Sequence, residues 1–217
     1  MKNYSFLVVI LLSSIGIKAQ DATIQDKEPF TTGAGSISLN LYGGYVFADK
    51  VEYNGYYARV EDGIDYGIGL EYFVEDETSV ELKYSRMTAE MPFYGLLGNQ
   101  INAGDSKGAV NYILLGGTHY FESNSTSISP YLGGGIGLGI IETPQNGNDS
   151  NFAWDIKAGV KINTNSLVSV NLQAYLKSMV SAVGDDYYWT YYGLVGVVDY
   201  ESLYQFGLGA VLSFNFE

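Results

Sequence analysis

Apolar and polar side chains alternate with a period of two residues through much of this chain. Residues 151–163 read NFAWDIKAGVKIN, in which every second residue from Phe152 to Ile162 is apolar. A period of two is the pleat of a β-strand, because successive side chains point to opposite faces. The pattern predicts a strand here and in seven further segments. These segments are residues 35–47, 63–73, 79–85, 109–121, 129–141, 167–177 and 203–216.

The connections between the predicted strands are short and long in turn. Residues 74–78, 122–128 and 163–166 make short links, whereas 48–62, 87–108, 142–151 and 178–202 make mostly longer ones. An even number of antiparallel strands, with tight turns at one end and large loops at the other, is typical of outer-membrane barrels. We therefore expect an all-β fold, an eight-stranded antiparallel up-and-down transmembrane β-barrel over residues 35–217. Both termini are expected on the periplasmic side.

Alternation alone does not say which face of the sheet meets water. A soluble lipocalin-like barrel has the same pattern with its apolar face inside. Here the alternate residues that form the polar face of each strand, called the polar parity, are rich in glycine, serine and asparagine. Such residues suit the cramped interior of an eight-stranded barrel. The apolar parity is bulky and often aromatic near strand ends, as in the girdles at membrane interfaces. These observations favour lipid around Trp154 and its neighbours.

The N-terminal segment and the composition agree with export to a membrane. Residues 1–20, MKNYSFLVVILLSSIGIKAQ, have a charged start, an apolar run and Ala19-Gln20, which is the layout of a secretory signal peptide. We expect a signal peptide over 1–19 and a polar periplasmic lead-in over 20–34. The net charge of −13 makes nucleic acid a poor partner, and the absence of cysteine excludes disulfides and thiolate metal sites.

Charged residues recur on the parity that would face the lumen. Buried charges are costly unless they are paired, so we predict a hydrogen-bonded ionic network along the barrel interior. Its members are Glu71, Glu81, Lys83, Asp155, Lys157, Lys161 and Lys177. The alternative is a narrow porin-like channel for ions or small solutes, for which an eight-stranded interior leaves little room.

Two loops carry aromatic residues that could form a binding surface. Tyrosine and tryptophan give a large, rigid contact area at modest entropic cost. The candidates are Tyr53, Tyr56 and Tyr57 in the first long loop, and Tyr187, Tyr188, Trp189, Tyr191 and Tyr192 in the last. Alternatively, these side chains extend the outer aromatic girdle or pack one loop against another.

In its pattern the chain resembles the small OmpA/OmpX-type barrels of Gram-negative outer membranes. The resemblance covers about residues 35–217 and includes SPYLGGGIGLG (129–139) and SFNF (213–216). The latter is similar to the C-terminal strand signal read by the barrel-assembly machinery, although Glu217 follows Phe216 where that family usually ends on an aromatic residue. The resemblance implies an integral outer-membrane protein surrounded by lipid and lipopolysaccharide. It also implies the assembly machinery as a partner during biogenesis. An extracellular partner is expected only if the aromatic loops form a binding surface.

No catalytic residue, metal or cofactor is expected. Lipid A palmitoyltransferases, lipid A deacylases and omptin proteases have a similar architecture, and their catalytic sets depend on histidine. The only histidine of this chain is His119, and Phe121 stands two residues later, where a serine would be needed. We expect His119 to face inward and hydrogen-bond in the lumen. A non-enzymatic structural, adhesive or partner-binding role follows, with lipid A modification as the less favoured reading.

Overall fold

A computed structural model describes residues 33–53, 56–94, 100, 106–121, 127–143, 147–164, 167–190 and 193–216. The expected signal peptide and all but the last two residues of the lead-in lie outside the described residues. The described part forms eleven strands. They are β1 (Ile37–Val46), β2 (Asp49–Tyr53), β3 (Tyr56–Val60), β4 (Gly63–Glu75), β5 (Thr78–Glu90), β6 (Phe93–Tyr94), β7 (Lys107–Tyr120), β8 (Ile128–Thr143), β9 (Gly147–Asn163), β10 (Val168–Thr190) and β11 (Gly193–Phe216). None of the described segments is a helix long and apolar enough to cross a membrane.

Eight of these strands close into a barrel in the order β1-β4-β5-β7-β8-β9-β10-β11. Every neighbouring pair is antiparallel, and the first strand closes the barrel against the last, from Ile37↔Phe216 to Val46↔Gly207. Closure satisfies the backbone groups that an open edge would expose to lipid. The predicted all-β, eight-stranded antiparallel up-and-down barrel is confirmed.

The two faces of the barrel wall differ as the alternation indicates. Along β4 the residues Ile64, Tyr66, Ile68, Leu70, Tyr72 and Val74 are exposed on the outside, while Asp65 and Glu71 are buried inside. Ten residue steps at about 3.3 Å per residue cover about 33 Å. Inclined at about 40° to the axis, such a stretch spans about 25 Å, the height of the apolar band of an outer-membrane barrel.

Strand β7 has the opposite phase to the one its sequence suggested. Counted in twos along the sequence, Val110, Tyr112, Leu114 and Tyr120 form the apolar set, which predicts that they face lipid. The structure instead buries all four in the lumen, whereas Ile113 and Leu115 are exposed outside. The alternation fails because residues 112–115 are all apolar, so the pattern does not distinguish the faces. Val110, Tyr112 and Leu114 pack into an apolar cluster inside the barrel.

The long connections are more regular than loops. Residues 48–62 contain the hairpin β2–β3, which forms a small sheet with β6 from the next connection. Most of residues 178–202 continues β10 and β11, which stay paired from Val180↔Ser202 to Thr190↔Gly193 with one register shift between Val183 and Asp185. Pairing the two arms of a long connection satisfies their backbone groups without a packed core.

Glycine is required where the Tyr175 side chain lies against the neighbouring strands. The Tyr175 ring lies flat on β11, and a Cβ at Gly207 would overlap that ring. The Tyr175 hydroxyl also lies where a Cβ of Gly44 would stand. The inward glycines thus make room for an aromatic side chain that lies along the wall over the adjacent strands β11 and β1.

Candidate functional site

All seven residues of the predicted ionic network lie in the lumen, and each is at most 9% exposed. An eighth charged residue, Asp65, is buried among them. It is absent from the predicted set, although it shares the inward parity of β4 with Glu71 and the parity rule could have found it. With Asp65 included, four carboxylates face four lysines. The interior is therefore neutral overall, which reduces the cost of burying each charge.

Three ion pairs join opposite walls of the barrel. Lys157 Nζ on β9 lies 2.7 Å from Glu81 Oε2 on β5, and Lys177 Nζ on β10 lies 2.6 Å from Asp65 Oδ2 on β4. Lys83 on β5 pairs with Asp155 on β9. In each case two other strands lie between the partners around the wall, so the side chains cross the interior. These side chains occupy the space that a pore would need.

Neutral side chains donate hydrogen bonds to two of the buried carboxylates, Glu71 and Glu81. Asn40 Nδ2 donates to Glu81 Oε1 at 2.8 Å and to Glu71 Oε2 at 2.9 Å. The Tyr120 hydroxyl donates to Glu71 Oε1 at 2.8 Å, and the Tyr42 hydroxyl donates to Glu81. Buried charges that are both paired and hydrogen-bonded hold a fixed geometry. The carboxylates thus link β1, β4, β5, β7 and β9 through one connected network.

The short-turn end of the lumen is lined by aromatic rings. Phe73 stacks on Tyr120 with ring centroids 5.6 Å apart, and Tyr120 lies 5.5 Å from Tyr131. Lys161 Nζ lies over this group, 4.9 Å from the Phe73 centroid and 5.1 Å from that of Tyr120. Such cation–π contacts stabilise a desolvated ammonium group. This end of the interior is therefore filled as well.

The other end of the lumen is closed by an apolar cluster. Its buried members are Val46, Val60, Met87, Ala89, Val110, Tyr112, Leu114, Ala153, Tyr175, Met179 and Leu203. Val60 comes from β3, so the first long connection contributes to the seal. Gln205 is enclosed with this cluster and accepts a bond from the Tyr112 hydroxyl at 2.7 Å. Charged, hydrated solutes would have to cross this apolar layer, which is costly.

The aromatic loop candidates fall in two separate hairpins. Tyr53 and Tyr56 are paired at the tip of β2–β3, and Tyr57 stands opposite Tyr94 of β6. Tyr187, Tyr188 and Trp189 stand on β10 opposite Gly196, Val195 and Leu194 of β11. The structure describes the backbone of these candidates but not their side chains. Tyr191 and Tyr192 lie outside the described residues.

His119 does not face the lumen, so the expectation of an inward hydrogen-bonding role was wrong. Its side chain is exposed on the outer wall of β7, because β7 has the reversed phase. Nδ1 lies 3.3 Å from Thr78 Oγ1, and the ring packs edge-on against Phe121 at 4.9 Å. Within the described ranges no group of three or more His, Asp or Glu residues is placed to hold a metal ion.

Comparison with known proteins agrees with this architecture. The profile of the OprF membrane domain matches residues 23–198, which is most of the chain. The chain belongs to the OprF membrane domain family. A search of curated proteins gave no match.

Solved structures of other outer-membrane proteins have the same fold. OprG from Pseudomonas aeruginosa is 14% identical with a TM-score of 0.56, and the match covers 86% of this chain and 98% of that one. Neisserial surface protein A is 14% identical with a TM-score of 0.57, covering 85% of this chain and 99% of that one. This OprF-family protein is therefore an integral outer-membrane protein. Since barrels of this class have short periplasmic turns, we infer that the long hairpins lie outside the cell.

Proposed function

We propose that this protein is a non-enzymatic surface protein of the outer membrane that acts through its extracellular hairpins in a structural, adhesive or partner-binding role. The observation that carries the proposal is the occupied lumen. Three ion pairs cross it, an aromatic group fills its periplasmic end and an apolar cluster fills its extracellular end. An eight-stranded interior is just wide enough to be filled by side chains. The hairpins are then the elements left to meet a partner.

The position of His119 supports a non-enzymatic role. A histidine base needs a nucleophile or a water within reach and a third group that orients the ring. The groups that contact His119 are the hydroxyl of Thr78 and the ring of Phe121, and no carboxylate orients it among the described contacts. The chain contains no other histidine. This arrangement supports neither lipid A acylation nor proteolysis.

The charge distribution narrows the kind of partner. Of the eleven lysine and arginine residues, four are neutralised in the lumen and two lie in the expected signal peptide. The rest are Lys27, Lys50, Arg59, Arg86 and Lys107, against many more carboxylates at the two ends of the barrel. An acidic surface repels polyanions and attracts cationic partners.

Lipid and lipopolysaccharide surround the barrel, and we propose that the assembly machinery reads its final strand, β11.

Conductance across a planar lipid bilayer tests the proposal. We expect the refolded full-length protein to give no stable current steps, because the ion pairs and the apolar cluster occupy the interior that ions would have to cross. A general-diffusion porin inserted in the same bilayer confirms that openings are detectable. Stable, voltage-independent openings of this protein would contradict the proposal and favour a narrow channel.

A further inference from the structure

The barrel wall divides at its extracellular end between β9 and β10. Their pairing runs from Ser169↔Asn163 to Met179↔Ala153 and stops there, although both strands continue. Above this point β9 remains paired with β8 up to Thr143↔Gly147, and β10 remains paired with β11 up to Thr190↔Gly193. Two hairpins therefore separate above the membrane, with a free edge of β10 between them.

The edge of β10 over residues 180–190 has no strand partner on the β9 side among the described residues. Every second residue of an edge strand directs its N–H and C=O groups outward, where another chain can pair with them. Edge strands are commonly protected by lysine or proline, but residues 178–190, SMVSAVGDDYYWT, contain neither. The register shift near Val183 leaves an uninterrupted run from Asp185 to Thr190. This edge is suited to strand addition.

The opposite edge of the same hairpin is partly covered. Phe47 N donates to Phe206 O at 2.9 Å, and Tyr204 N donates to the Asp49 carboxylate at 2.8 Å. The connection that follows β1 thus lies against the base of the hairpin on its β11 side. The β10 side is consequently the better site for an added strand.

The negative charge of the two hairpins determines which kind of segment can bind the free edge of β10. Residues 142–152 and 178–202 contain Glu142, Asp149, Asp185, Asp186, Asp199 and Glu201 and no lysine or arginine. Glu142 is already held by Arg86 Nη2 at 2.8 Å, which leaves five carboxylates in the two hairpins. A second copy of the chain would bring the same charges to the edge, so pairing between two copies is disfavoured. An extended cationic segment is attracted instead.

We propose that the free edge of β10, residues 180–190, binds an extended, lysine- or arginine-containing peptide segment of an extracellular protein by strand addition. The inference rests on the proposed surface function and specifies the partner class and the element that receives it. Main-chain hydrogen bonds to β10 provide the affinity. The acidic hairpins provide selection for basic segments and against acidic ones.

Binding of synthetic peptides to the full chain in lipid nanodiscs tests this inference. The probe is a ten-residue peptide of alternating lysine and threonine, with two twins of the same length. One twin carries N-methyl groups on alternate amides, which keeps the charge but removes half of the main-chain donors. The other has aspartate in place of lysine. We expect binding of the basic probe, at least tenfold weaker binding of the methylated twin and no binding of the acidic twin.

Two charge-reversal variants serve as a matched pair. D185K/D186K should weaken binding of the basic probe at least tenfold, whereas E75K/E77K makes the same change in charge at the periplasmic turn and should leave binding unchanged. The bound probe should also slow hydrogen exchange of amides in residues 180–190. Equal binding of the methylated and unmethylated probes, or no binding of the basic probe, would overturn strand addition. Neither result affects the conductance test, so the two proposals fail separately.

Discussion

Replacing Glu81 with alanine is expected to lower the free energy of unfolding by about 3–5 kcal/mol, because it leaves a buried charge without its partner. Glu81 accepts from Lys157 at 2.7 Å and from Asn40 at 2.8 Å, and its side chain is almost fully buried. In E81A the Lys157 ammonium group and the Asn40 amide lose these bonds in an interior that water cannot easily enter. Urea unfolding of the protein folded into phospholipid vesicles measures the change.

The double variant E81A/K157M is the control for this prediction. It removes both charges and restores apolar volume, and replacing a whole buried ion pair costs far less than breaking one. We therefore expect a smaller loss than in E81A alone. A loss below about 1 kcal/mol in E81A would mean that water reaches Lys157, and the lumen would then be hydrated rather than filled.

Placing an arginine at Leu82 is expected to cost about 2–4 kcal/mol, the penalty of a cation on the lipid face at mid-membrane. Leu82 points outward from β5 and lies between Leu70 and Leu115 in the register, so it is surrounded by the apolar band. In the protein alone its side chain is 56% exposed. The measurement is again urea unfolding in phospholipid vesicles.

Thr88 gives the matched position on the same strand and the same face. It lies beyond Arg86, at the polar extracellular border, and T88R should change the unfolding free energy by less than about 1 kcal/mol. If the outer face met water, L82R would resemble an ordinary surface substitution and cost no more than about 0.5 kcal/mol. Equal effects of L82R and T88R would therefore contradict the lipid-facing assignment.

Local sequence pattern was enough to predict the barrel and most of its strand positions. Residues 151–163 were predicted as a strand, and β9 covers Gly147–Asn163. The period of two is decisive there because the apolar set and the charged set never mix. In β7 both sets are apolar around Tyr112, so the phase depends on what each side chain meets inside the barrel. That information comes from other strands.

The contacts within the lumen were less accessible to sequence reasoning. Parity identifies inward charges such as Glu81 and Lys157, but it cannot say that these two meet across the barrel, because the match depends on the stagger of all strands between them. The positions of the inward tyrosine side chains are equally hard to predict from sequence, because Tyr175 fits only where glycines on β1 and β11 leave space. The long β10–β11 hairpin was missed because its sequence has no clear alternation.

The fluorescence of Trp154 reports whether the apolar face of the barrel wall lies in lipid. Trp154 lies on the outer face of β9, with its ring 6.4 Å from that of Tyr204. The chain has two tryptophans, so the variant Trp189→Phe isolates the signal of Trp154. In vesicles of lipids with brominated acyl chains, we expect at least half of the emission to be quenched, with little quenching by acrylamide in the water phase. Emission that bromine leaves unchanged and acrylamide quenches fully would mean that this face of the wall meets water and not lipid.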